Sequence, residues 1–174
     1  MIKSAFAFSL AQEKTNKLDK KIKGVKIFFM AFENTILFFL ILMVISTKYL
    51  TNMCQASEKN KTIATNWFNA FNQHQLNNLL SLYDEAAQHY SPKLKVRQPP
   101  TEGLIKGKEA LRNWWQGAFD RHPSLRYEVT HLMADAGQVF MEYVRRVNGE
   151  EDLLVGEVLQ IKNGLIVFSR VYHG

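Results

Sequence analysis

The Asn163-Gly164 pair restricts this chain more than any other two residues. It lies between two runs rich in Val, Ile and Leu. A two-residue type I′ turn needs positive φ at both central positions, which Asn and Gly tolerate best. Residues 155–173 are therefore predicted to form a β-hairpin. A tight turn sets Lys162 against Leu165. Counting outward then pairs Ile161 with Ile166, Leu159 with Phe168, Glu157 with Arg170 and Val155 with Tyr172. With a side-chain period of two, these residues share one face. That face is apolar except for one acid and one base set opposite each other. Ions in an apolar field are costly to desolvate unless well bonded. The Glu157–Arg170 rung is thus expected to be either a structural specificity device or the polar floor of a pocket.

Charge divides the chain before the fold does. The net charge is +6, and most of it sits before Met53, where Lys3, Lys14, Lys17, Lys20, Lys21, Lys23, Lys26 and Lys48 outnumber Glu13, Asp19 and Glu33. From Met53 onward acids and bases nearly cancel, so the positive balance argues for no nucleic-acid partner of the folded part. Residues 1–52 read as a basic leader with an apolar segment at 27–47, interrupted by Glu33-Asn34-Thr35, that is able to anchor the chain in a membrane. Translation from Met1 predicts a membrane-anchored protein; translation from Met53 predicts a cytoplasmic one. Cys54 is the single cysteine, which excludes an internal disulfide.

Residues 53–174 read as one domain. Ser57 is expected to cap a first helix carrying Ile63, Trp67, Ala70 and Phe71 at helical spacing. A short second helix follows with Leu76, Leu79 and Leu80, then a strand over 86–90 that Pro92 stops. Alternation puts Ala87, His89 and Ser91 on one face. A long loop is expected over 93–106. The third helix spans 107–121, with Leu111, Trp114, Trp115, Ala118 and Phe119 on one broad face. Strands over 125–134 and 138–147 precede the terminal hairpin. The first sets Tyr127, Val129, His131 and Met133 together; the second is ambiguous in parity. Arg145, Arg146, Lys106 and Lys108 read as solvated charge. Helices followed by an antiparallel meander define an α+β class.

The segments Trp67-Phe68-Asn69-Ala70-Phe71-Asn72, Leu79-Leu80-Ser81-Leu82-Tyr83, Gly107-Lys108-Glu109-Ala110-Leu111 with Trp114-Trp115, and Val167-Phe168-Ser169-Arg170-Val171-Tyr172-His173 occur in an order that resembles the SnoaL-like branch of the nuclear-transport-factor-2-like superfamily. The resemblance covers residues 53–174. It implies a cone-shaped α+β domain, in which a curved antiparallel sheet wraps three helices around a largely apolar pocket, and it implies a homodimer formed through the sheet. Family members include polyketide cyclases, ketosteroid isomerases and proteins that are not enzymes, so the fold alone names no activity. This chain has Ser91 where isomerase-like members carry an acid, and His173 where cyclase-like members end their last strand with an acid.

Proton transfer beside a carbonyl needs a base with a tuned pKa and a donor for the developing enolate, both in a dry pocket. The candidates are His131 and His89 as titrating groups, Glu157 as base or orienter, and Arg170 as donor. Tyr172, Trp115, Ser91 and Phe168 are expected to bind the ligand, a small hydrophobic carbonyl compound. Each has a plainer reading: a satisfied core histidine, a buried ion pair, aromatic bulk against the sheet. A carboxylate clamped by arginine is a feeble base. The five histidines show no metal-ligand spacing and there is no glycine-rich phosphate loop, so no metal or cofactor is expected. Two readings stay open: acid–base catalysis of the cyclase or isomerase type, and a non-catalytic ligand-binding or dimerisation module.

Overall fold

A computed structural model describes residues 2–173, with side chains described at 16–17, 19–26 and 37–173. The chain divides into two units, residues 1–50 and 51–174. Helix α1, Ile2–Asn72, contributes to both. In the first unit Phe38, Phe39, Leu40, Ile41 and Val44 are all exposed. Among the described residues Leu37–Asn72 is the one helical segment long and apolar enough to cross a membrane, by length and composition. Residues 27–36 of the expected apolar segment lie outside the described side chains.

The second unit is α+β. After α1 come α2 (Leu76–Ser81), β1 (Tyr83–Tyr90), α3 (Pro92–Arg97), a 3₁₀ turn (Pro99–Thr101), β2 (Leu104–Lys106), α4 (Lys108–Arg121), β3 (Arg126–Ala134), β4 (Gln138–Arg146), β5 (Leu153–Lys162) and β6 (Leu165–His173). The strands form a curved, unclosed six-stranded sheet in the order β2-β1-β6-β5-β4-β3. Its pairs are antiparallel except β1 with β6.

The helices lie where their apolar stripes demand. On α4, Leu111, Trp115 and Phe119 recur every four residues and are buried; full burial of such side chains stabilises by roughly 1.5–3 kcal/mol each. Trp67 of α1 stacks on Phe71 at 5.1 Å and on Tyr127 at 5.7 Å. Its indole N–H donates to the Tyr83 hydroxyl at 2.8 Å. Two local expectations change. Ser57 caps no helix, because α1 runs straight through it, and its hydroxyl donates to the Ala134 carbonyl at 2.8 Å. Residues 93–106 are not a bare loop: Pro92 stops β1 as expected but also stands in the first turn of α3, where its missing N–H costs nothing.

The hairpin turn forms as read, with Asn163 at φ +53° and Gly164 at +79°, and its first rungs are Lys162–Leu165 and Ile161–Ile166. Then the register slips. Gln160 faces Phe168, so Val167 is an extra residue on β6, a β-bulge. One inserted residue reverses the facing of everything beyond it. Glu157 therefore opposes Val171, while Arg170 opposes Val158 on the outer face. The expected Glu157–Arg170 rung does not exist. Phe168, Arg170 and Tyr172 point away from the helices, and Ser169, Val171 and His173 point toward them. Arg170 stacks over the Tyr90 and Phe168 rings, 4.7 and 5.4 Å from their centres.

A second bulge, at Thr130, acts the same way on β3. Val129 faces Tyr143, but His131 faces Glu142 and Leu132 faces Met141. Tyr127 and Leu132 turn inward and His131 turns outward, its side chain 74% exposed and its Nδ1 3.0 Å from Glu142 Oε1. The ambiguous strand resolves with Val139, Met141, Tyr143 and Arg145 inward and buried.

Candidate functional site

Between the inner face of the sheet and helices α1, α3 and α4 lies a cavity of about 530 Å³. Trp67, Phe71, Trp114, Trp115 and Ala118 give it an apolar wall from the helical side, and Leu125, Val155 and Val171 add to it. The polar groups are few and separate into two sets.

The inner set centres on Glu157, which is 1% exposed. The Tyr143 hydroxyl donates to Glu157 Oε2 at 2.8 Å, and the Tyr127 ring lies against that of Tyr143, centroids 4.5 Å apart. Glu157 Oε1 is buried without a hydrogen-bond partner on a residue that lines the cavity. Burial raises the carboxyl to about 7, the Tyr143 hydrogen bond pulling weakly the other way. Burial, then the Glu157 charge, pushes the Tyr143 and Tyr127 hydroxyls above their ordinary range, so both stay protonated donors at neutral pH. His89, also buried, holds Nδ1 2.7 Å from Ser169 Oγ, which leaves Nε2 as the nitrogen able to meet a ligand. Burial lowers its pKa to about 4, so it is neutral at pH 7.

The outer set stands at the cavity mouth. Arg145, on the inner face of β4, donates to Glu150 Oε2 at 2.8 Å, and His122 Nδ1 lies 3.2 Å from Glu150 Oε1. Lys93 and Arg97 of α3, Arg121 of α4 and His173 of β6 complete the rim. Glu157 opposes Met141 on β4, four residues from Arg145, and the strand rise places their backbone positions about 13 Å apart along the same face.

Of the residues singled out in the sequence, the structure brings His89, Glu157, Trp115 and Ser91 to the cavity lining. His131, Arg170, Phe168 and Tyr172 stand on the outer face for the reason given by the two bulges. Sequence reasoning missed Tyr127 and Tyr143 as polar lining and read Arg145 as solvated, although it is 7% exposed. The burial of Ile166 and Val171, five residues apart, agrees with the bulge, since one face accommodates an odd interval only through an inserted residue. Among the described residues no group of three or more His, Cys, Asp or Glu side chains is placed to hold a metal ion.

A curved, unclosed sheet folded over helices to leave a cavity is the architecture of the nuclear-transport-factor-2-like fold. The sequence profile of the SnoaL-like domain matches residues 64–169, and the chain belongs to that family. Among solved structures it is similar to a SnoaL-like protein of unknown function from Burkholderia thailandensis, with 23% identity over 67% of this chain and 95% of that one and a TM-score of 0.61. It is also similar to a candidate ketosteroid isomerase from Kribbella flavida (19% identity, 68% and 79% covered, TM-score 0.57). A candidate polyketide cyclase from Sinorhizobium meliloti shares 15% identity over 64% and 94% of the two chains, with a TM-score of 0.55. At these identities the likeness concerns the fold. No curated protein matches the sequence.

Proposed function

We propose that the domain binds a small hydrophobic carbonyl compound and moves a proton at the carbon beside the carbonyl, as isomerases and cyclases do. The observation that carries this reading is the Glu157 carboxyl, with one buried oxygen unpartnered in the cavity and a pKa of about 7. A base with that pKa is half ionised at neutral pH and returns a proton as readily as it takes one. The bulge at Val167 matters here, because it removes the arginine that would have pinned Glu157 as a weak base. In this reading Glu157 Oε1 takes the α-proton. Tyr143 holds Oε2 and so fixes the carboxylate plane. Neutral His89, in the tautomer with its proton on Nε2, donates to the enolate oxygen. The aromatic wall excludes water and gives the ligand an apolar surface.

The test uses the full-length chain with 2-tetralone and related aryl ketones in D₂O, following deuterium uptake at the α-carbon by mass spectrometry. Wild-type protein is expected to speed exchange above buffer, and Glu157→Gln to lower that rate by roughly 10²–10⁴-fold. Ketones that bind without any accelerated exchange would turn the assignment to the non-catalytic module.

For the first unit we propose a membrane anchor. Its exposed apolar side chains run from Leu37 to Leu50 on all sides of the helix, and Lys17, Lys20, Lys21, Lys23 and Lys26 precede them. A helix apolar all round is satisfied by lipid, and the preceding lysines favour the cytoplasmic side for the N-terminus. Retention of the chain in the membrane pellet after alkaline carbonate extraction is the expected result; release into the supernatant would refute it.

A further inference from the structure

The cavity mouth carries a charge that the proton-transfer reading leaves unused. Four cationic side chains line the cavity, Lys93, Arg97, Arg121 and Arg145, against two carboxylates, Glu157 at the inner end and Glu150 at the mouth. Glu150 is itself held by Arg145 and His122. Among the described residues Lys93, Arg97 and Arg121 have no carboxylate within ion-pair distance. The cations come from three elements, α3, α4 and β4, and converge on one opening, where they act on one another. Burial is the main cause lowering Lys93, Arg121 and His122; Arg145 and Arg97 lower Lys93 further against Glu150, Arg97 lowers Arg121 against Asp120, and Arg145, Arg97 and Arg121 lower His122 against Glu150. Packing alone gives no reason to gather like charges around the rim of an apolar cavity. An anion lying among them removes that repulsion. The rim already shows how it holds one, since the Glu150 carboxylate receives an arginine at 2.8 Å.

We infer that the natural ligand carries a carboxylate, seated among Lys93, Arg97, Arg121 and Arg145 at the mouth, with its apolar carbonyl part extending inward toward Glu157. This deepens the proton-transfer proposal by naming the substrate class, an amphiphilic keto acid, and it rests on that reading only for what happens at the inner end. The spacing fits. About 13 Å of strand separates Arg145 from Glu157, enough for an aromatic or alicyclic body between the two polar ends. The rim then supplies orientation: a compound held by its carboxylate enters the cavity with one end only.

The test is binding of 6-acetyl-2-naphthoate, whose ring separates the carboxylate from the ketone, against its methyl ester, by titration calorimetry, to the full-length chain in one mild detergent at fixed concentration. Wild-type protein is expected to bind the acid about 10–100-fold more tightly than the ester, the range of charge-assisted hydrogen bonds. That preference should shrink as salt rises. The double variant Arg97→Gln/Arg121→Gln, altered at exposed positions, should bring the acid to within about 3-fold of the ester. Arg170→Leu, on the outer face, should leave both affinities as in wild type. Equal binding of acid and ester by wild-type protein, no binding of the acid up to millimolar concentration, or a preference that survives the double variant would each overturn the inference. Glu157→Gln separates the two proposals. If it abolishes exchange but keeps the acid preference, both stand. If the acid preference holds while wild-type protein exchanges no α-proton, the carboxylate site stands and the catalytic reading falls.

Discussion

Replacing Glu157 by Gln should make the domain more stable at alkaline pH. The carboxyl titrates near 4.5 in an unfolded chain and at about 7 in the fold, because burial disfavours its charge. The folded state therefore binds the proton more tightly than the unfolded one, and stability falls as pH rises from about 4.5 to about 7. Converted to free energy, the ionised form weakens the fold above pH 7 by about 3 kcal/mol relative to the protonated form. Glutamine is close in shape to protonated glutamate, can accept the Tyr143 hydroxyl through its carbonyl, and never ionises. Wild type and variant should thus be nearly equal at pH 4.5 and differ by about 3 kcal/mol in favour of Gln at pH 8. All three tryptophans, Trp67, Trp114 and Trp115, lie in the second unit, so their fluorescence reports its unfolding without contribution from the leader. In urea the expected gap at pH 8 is about 1–3 M in midpoint. His89 adds its own pH dependence, but both proteins share it and it cancels in the difference. A gap that stays constant between pH 4.5 and 8 would show that Glu157 is not a buried carboxyl with a raised pKa, and the proton-transfer proposal would lose its base.

Two further expectations follow from the same geometry. His89→Gln should flatten the acid side of the stability profile: the imidazole is protonated near 6.5 when unfolded but only near 4 in the fold, so wild-type stability falls by about 3 kcal/mol as pH drops through that window, and urea titrations at pH 4 and pH 7 compare the two slopes. Deleting Val167 should leave a cooperative tryptophan-fluorescence transition of the second unit, with stability changed by no more than about 1–2 kcal/mol, because Val167 is the unpaired extra residue and its removal keeps Gln160 opposite Phe168 and Glu157 opposite Val171; loss of that transition would show that Val167 is not simply an insertion in the β6 ladder.

The α+β class, the helix stripes and the hairpin turn were legible in the residues themselves, because each is a local matter. Asn163-Gly164 needs only its own backbone to choose a type I′ turn, and Leu111, Trp115 and Phe119 mark a buried face by spacing alone. The same holds for Ala87, His89 and Ser91 on β1, where simple alternation placed His89 inward. The polar centre of the site was not local. Which of Arg170 or Val171 meets Glu157 depends on one extra residue in a ladder, and a bulge arises where two strands must curve together over a helical layer, a condition that no single strand carries. Thr130 did the same to His131. Arg145 reads as solvated charge beside Arg146, and only the closing of α3 and α4 over β4 made it part of the rim of a cavity. The chain dictates its elements through backbone preference and side-chain period; which face of each strand turns to the cavity was decided by how the sheet bends to cover the helices.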